Sequence, residues 1–246
     1  MLAFLACAPA AGAAPWTPDV KSARDYARDR GGSVSFTVRT QRRAWHYRGA
    51  RVATSASVVK AMLMVAYLNR SSVRSRPLRA GDMALLGPMV RRSNNRAASR
   101  VRDIVGNGAL SRLARRAHMR RFATAPSWGA TRICTADQTR LFLRLDRFVA
   151  RRHRATAHAL LGSIVPRQRW GIAKVRPSAW NLYFKGGWGD GDGEVDHQIA
   201  LLTRDGRRVS VGIMTTANPS KAYGDRTLQG VARRLLRGLD ADAVPR

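Results

Sequence analysis

Between Thr54 and Leu68 the chain reads TSASVVKAMLMVAYL, and from Ser57 onward nearly every position is apolar. A helix that is hydrophobic on all sides belongs in a protein interior or a membrane, and this one is too short to cross a bilayer. The run predicts a buried helix, capped by Thr54 or Ser55. Before it, Val20, Ala23, Tyr26 and Ala27 follow helical spacing behind Thr17 as a cap. After Gly31-Gly32 the period changes to two, and SVSFTVRT and AWHYRGA, separated by a polar turn around Gln41, predict a β-hairpin.

Beyond the buried run, the polar stretch from Arg70 to Ala80 reads as a loop. Helical patterns follow over Asp82 to Val90, from just after Ser93, over Ala109 to Met119, over Thr135 to Val149 and over Thr156 to Val165. Thr135 and Gln138 have the spacing of a capping box. Trp170 to Ser178 reads as another loop. NLYFKGGWG, HQIALLTRD and RRVSVGIMTTA, joined by the turns DGDGE and RDGR, predict three consecutive antiparallel strands. An amphipathic helix over Leu228 to Leu239 closes the chain.

This order implies an α/β (α+β) fold: an antiparallel sheet of about five strands built from both chain ends, flanked by N- and C-terminal helices, with an all-α lobe inserted. Residues 15–246 form one domain in this reading, 15–55 and about 166–246 making the sheet lobe and about 56–165 the helical lobe. No repeat, low-complexity segment or flexible linker interrupts it.

Composition changes the picture at two points. The formal net charge is +30, from 45 basic residues against 15 acidic ones. Such an excess favours anionic surroundings, among them cell-wall polymers and membrane surfaces. The arginines are scattered in ones and twos and the aromatics do not interleave with them, which argues against nucleic-acid binding. Residues 2–14, LAFLACAPAAGAA, are an apolar run ending in small residues. They read as the back of a signal peptide and imply a secreted or envelope-associated protein; the competing reading is a hydrophobic first strand. With Cys7 removed, Cys134 would stand alone, without a disulfide partner.

The buried run carries one charge, Lys60, three residues after Ser57, and on a helix that spacing places the two side chains one turn apart on one face. An ammonium among Val58, Val59, Met62, Leu63 and Met64 is costly to keep charged, so its pKa falls toward the range of a general base, with Ser57 as its proton donor. The Ser57 N–H falls in the first turn, where unpaired donors and the helix dipole favour an oxyanion. The competing reading is a core helix whose lysine reaches back to the surface.

Two further patterns stand later in the chain. Ser93-Asn94-Asn95 supplies a hydroxyl and, two residues on, a carboxamide; Lys185-Gly186-Gly187 lies on a predicted strand, where Lys185 and Gly187 share a face. Either one alone fits a helix cap or a strand bulge. Together and in this order, within ASVVKAML, MVRRSNNRAA and FKGGWG, they make the chain resemble the penicillin-recognising serine enzymes, in particular secreted class A β-lactamase-like serine hydrolases, whose motifs are S-x-x-K, S-D-N and K-T-G. The resemblance covers about residues 18–240.

What the resemblance implies is an acyl-transfer site without metal or cofactor, in a monomer acting on a β-lactam or a peptidoglycan-like peptide. Ser57 would be the acylated nucleophile and Lys60 its base. Ser93 would relay a proton to the leaving amine, Asn95 would hold the substrate amide, and Lys185, beside Gly187, would attract the substrate carboxylate. The N–H groups of Ser57 and Trp188 would form the oxyanion hole.

The chain also departs from that pattern. No glutamate lies between Ser93 and Lys185, where class A enzymes carry the one that activates the deacylating water. Asp103, Asp137 and Asp146 are the only carboxylates there, and each suits a surface or helix-start position. Gly186 replaces the hydroxyl residue of K-T-G, and Asn94 replaces an aspartate whose role is local structure. These departures imply weak or glutamate-independent release of the acyl group. The alternative is a catalytically impaired relative that binds anionic cell-wall polymer. The turn DGDGE offers oxygens to calcium but lacks the rest of an EF-hand loop.

Overall fold

The computed structural model describes residues 15–239 and Val244. The expected export signal at residues 1–14 and Cys7 lie outside the described residues. After helix α1 (Val20–Arg28) come strands β1 (Ser33–Arg39), β2 (Ala44–Tyr47) and the two-residue β3 (Ala53–Thr54). Helices α2 (Val59–Leu68), α3 (Ser71–Arg74), α4 (Ala80–Arg91) and α5 (Asn95–Arg116) follow. Next are β4 (Arg132–Ile133), α6 (Thr135–Leu143), α7 (Leu145–Phe148), α8 (Arg154–Gly162) and α9 (Ile172–Val175). The chain ends on β5 (Asn181–Gly189), β6 (Val195–Arg204), β7 (Arg207–Thr216) and α10 (Lys221–Leu235).

The five-stranded sheet has the order β2-β1-β7-β6-β5, antiparallel throughout. Its centre joins the two chain ends, Val38 of β1 facing Val211 of β7. β7 alternates its faces as a strand must. Gly212 turns toward Thr135 and Thr139 of α6, and Asp196, paired with Thr215, turns toward Gly224 of α10. α6 and α10 therefore cover opposite faces, and α1 packs beside α10. Thus α6, although it falls within 56–165, lies on the sheet.

α2 is the axis of the helical half. All its residues from Val59 to Leu68 are buried, and α4, α5 and α8 pack around it. This accounts for its lack of a polar face.

Several helix starts differ from the sequence expectation. Asp19, not Thr17, caps α1, its Oδ1 accepting from Ser22 N at 3.0 Å. α10 begins seven residues before Leu228, because Ser220 caps it by accepting from Tyr223 N at 3.2 Å. Thr135 is the first residue of α6 rather than its cap; its hydroxyl bonds Thr37 Oγ1 at 2.8 Å across to the sheet. Burial against β1 has overridden the capping-box spacing. The stretch expected as one helix over Thr135 to Val149 breaks at Arg144 into α6 and α7. The two expected loops each hold one helical turn, α3 and α9. The helix after Ser93 and the one over Ala109 to Met119 run together in α5 across a kink at Gly106, φ 70°.

Candidate active site

The segment before α2 is not the simple capped helix expected from Thr54 or Ser55. Thr54 belongs to β3, and Ala56–Val58 form a 3-10 turn that leads into α2. The Ser55 side chain does not cap the turn; only the Ser55 carbonyl accepts there, from Val58 N at 3.0 Å. Its hydroxyl faces three carbonyl oxygens, Ala56 O at 3.1 Å and Trp128 O and Gly129 O at 3.3 Å, while Ser55 N donates to Thr131 O at 2.7 Å. β3 pairs with β4 through Ala53–Ile133 and Thr54–Arg132. These bonds staple the loop before Ser57 to the segment around Trp128. Ala56 is left in the left-handed region at φ 42° and Ser93 at φ 56°, conformations that cost a non-glycine residue energy and concentrate at functional sites.

Ser57 is buried on the 3-10 turn, one helical turn before Lys60. The strand β5 comes close to its backbone: a β-carbon on Gly187 would stand 2.8 Å from both Ser57 N and Val58 N and 2.9 Å from Ser55 O. Only glycine lets the strand approach so near. Ser57 N lies in the first turn, where helical donors lack an internal acceptor.

Lys60 is fully buried. Its ammonium donates to Ser93 O at 2.5 Å, to Asn95 Oδ1 at 2.8 Å and to Ser93 Oγ at 3.2 Å, which occupies its three donors. The ring of Trp128 lies over it at 4.6 Å. Removal from water pushes its pKa down to about 7. Lys185 is fully buried as well, its pKa held well below the usual lysine range first by burial and then by the charge of Lys60. It donates to Ser93 Oγ at 3.1 Å and to Gly186 O at 2.8 Å. Ser93 thus accepts from both lysines through its two lone pairs, and its own O–H is left to donate.

The structure therefore gathers Lys60, Ser93, Asn95 and Lys185 into one hydrogen-bonded cluster and sets Gly187 against Ser57. Trp188 follows on β5, its ring 5.9 Å from Lys185 Nζ. Asn94 has the local role expected of it, capping α5 by accepting from Ala97 N at 2.8 Å. Behind the site, fully buried His197 pairs with Gly187 across the sheet. Its Nδ1 accepts from Thr215 N at 3.2 Å and its Nε2 donates to Thr54 O at 3.0 Å. Burial lowers its pKa to about 4.

Three environments were not legible from the motifs. The side chain facing Lys60 from the stretch between the second and third motifs is Trp128, whose Nε1 donates to Ser99 Oγ at 3.1 Å. The three carboxylates of that stretch are placed elsewhere. Asp103 is exposed, Asp137 accepts from Arg121 N and Arg140, and Asp146 pairs with His158 and Arg208. Gly186 lacks a side chain where Trp170 packs: a β-carbon there would meet Trp170 Cζ2 at 3.5 Å. In the DGDGE turn, Asp192 holds Thr54 N at 2.5 Å and Arg132 at 3.0 Å, so its oxygens serve the loop before Ser57.

The comparisons with known proteins bear on the family and the fold. The sequence model of the Beta-lactamase enzyme family matches residues 83–239. The chain belongs to that family. No curated protein sequence matches it. Among solved structures it is similar to the β-lactamase from Sphaerobacter thermophilus, with a TM-score of 0.77 and 19% identity over 91% of this chain and 98% of that one. The class A β-lactamase from Mycobacterium abscessus gives 0.74 with 15% identity, covering 89% and 98%. PBP-A gives 0.74 with 12% identity, covering 89% and 94%. At these identities the likeness is one of fold: a mixed α/β structure around the antiparallel sheet.

Proposed function

We propose that the chain is an active-site-serine acyl-transfer enzyme that acts on β-lactam or peptidoglycan-like amide bonds outside the cytoplasm. The observation that carries this reading is Ser93 Oγ, which lies 3.2 Å from Lys60 Nζ and 3.1 Å from Lys185 Nζ. One hydroxyl between two buried amines forms a proton path that a core helix does not need.

In the step proposed, Lys60 as the neutral amine takes the proton of Ser57 Oγ, and that oxygen bonds to the substrate carbonyl carbon. The N–H groups of Ser57 and Trp188 hold the oxyanion, and Asn95 holds the substrate amide. As the tetrahedral centre collapses, the C–N bond breaks and the leaving nitrogen receives a proton from Ser93, which is resupplied through Lys60. The product is an ester on Ser57 and a free amine. Water then hydrolyses the ester slowly, because Trp128 faces Lys60 where a carboxylate base would be needed. In the resting arrangement Lys60 is engaged by Ser93 and by Asn95 Oδ1, which leaves the Asn95 Nδ2 group to donate to the substrate amide carbonyl.

Intact-protein mass spectrometry with a penicillin tests this. An adduct on the native chain that is lost in Ser57→Ala and persists on removal of free penicillin is the expected result. No adduct at high concentration sinks the reading.

A further inference from the structure

The face of β5 opposite Lys185 and Gly187 carries Gly186 and Trp188. Trp188 stands edge-on to Trp170, centroids 5.0 Å apart at 78°, and both residues are partly buried. The pair borders the reacting groups. The Trp188 ring lies 5.9 Å from Lys185 Nζ, which reaches Ser93 Oγ at 3.1 Å. Because Ser93 is the group assigned to the leaving amine, these rings line the leaving side of the site.

A carboxylate would find little there to hold it. Lys185 is fully buried and occupied by Ser93 and the Gly186 carbonyl. Lys221 lies over the Trp170 ring at 3.8 Å and faces Trp188 at 5.8 Å, but its charge is already matched by an ion pair to Asp225. Gly186 offers no hydroxyl, and a β-carbon at that position would stand in ordinary contact with the Trp170 ring, 3.5 Å from Cζ2. Trp170 is itself fixed, its Nε1 donating to the buried Asp196 Oδ1 at 3.2 Å. What remains is an indole pair, which gains from covering apolar surface and loses when it strips water from an unpaired charge.

We infer that Trp170 and Trp188 form a pocket for a neutral, apolar group on the leaving side of the acyl donor, in the place where a carboxylate would otherwise be held. The pocket determines specificity, and Trp170 is its key residue because it supplies a ring and lies against Gly186, which carries no hydroxyl. This inference rests on the acyl-enzyme reading and narrows its substrate class.

The test compares a penicillin with its methyl ester, reading the second-order rate of Ser57 adduct formation by intact mass. The native chain is expected to favour the ester by roughly tenfold or more, the size of discrimination an apolar pocket provides. Trp170→Phe keeps a ring and should keep the preference; Trp170→Ala should lose most of it, and Trp170→Ala with Gly186→Thr should turn it toward the free acid. Circular dichroism of each variant checks that it is folded. A native chain that favours the free acid, or an unchanged preference in folded Trp170→Ala, overturns the pocket while the acyl-enzyme reading stands. No adduct with either reagent overturns both.

Discussion

Gly187 and Ser57 meet with no space for a side chain between them, a β-carbon on Gly187 falling 2.8 Å from the Ser57 nitrogen. The contact fixes the distance between β5 and the 3-10 turn, and with it the position of any oxyanion held between them. Gly187→Ala must push the strand or the turn aside. Acylation of Ser57 is expected to slow by about a hundredfold or more, the usual result of displacing an oxyanion donor. Stability should fall by only about 1–3 kcal/mol, as for other overpacked positions. Adduct kinetics beside a urea titration would separate the two, and unchanged kinetics would remove the strand from the reaction.

The pH dependence of acylation follows from Lys60. Burial lowers its pKa to about 7, and the base is the deprotonated form. The rate should therefore rise with pH through about 7 and level off above it, because protonation on the acid side removes the base. Lys60 and Lys185 share one hydroxyl, so the measured midpoint belongs to the pair rather than to one amine. A rate that is flat between about pH 5 and 9, roughly two units either side of that midpoint, would exclude Lys60 as the base.

Trp128 should control how long the ester survives. It is held by Ser99 at its ring and by Ser55 at its carbonyl, and it faces Lys60. Trp128→Glu places a carboxylate near the amine and should shorten the lifetime of the Ser57 adduct by roughly a hundredfold, the scale of general-base catalysis. Trp128→Phe should leave it long-lived. The measurement is the decay of adduct mass after excess penicillin is removed; an equal lifetime in all three proteins would mean that something else excludes water.

Much of the architecture was legible because its signals are local. Lys60 stands out as the one charge in an apolar run, and the alternation in VSVGIM and HQIALL defines central strands whatever else the chain does. The three motifs could be read because S-x-x-K, S-x-N and K-x-G each occupy a few consecutive residues. Trp128 and Trp170 left no such trace. Each is a single aromatic in a polar loop, and its meaning comes from contacts with Lys60, 68 residues away in sequence from Trp128, and with Gly186 of a later strand. The caps failed for a related reason. Thr135 has the residue type and spacing of a cap, but its hydroxyl is claimed by Thr37 from a distant strand, and spacing along a chain carries no information about such a partner.

The junction of the two chain ends has a consequence for biosynthesis. Trp16 donates to the Arg237 carbonyl across 221 residues of sequence, and β1 finds its inner neighbour only in β7. A ribosome delivers the chain from its N-terminus, so the β1–β2 hairpin emerges early with one edge open, and the sheet cannot close until almost the whole polypeptide is made. Contacts of such long range fold slowly and leave exposed edges open to wrong partners in the meantime. Ser57 is thus synthesised long before Lys185 and Gly187, and the candidate site assembles as one of the last events of folding.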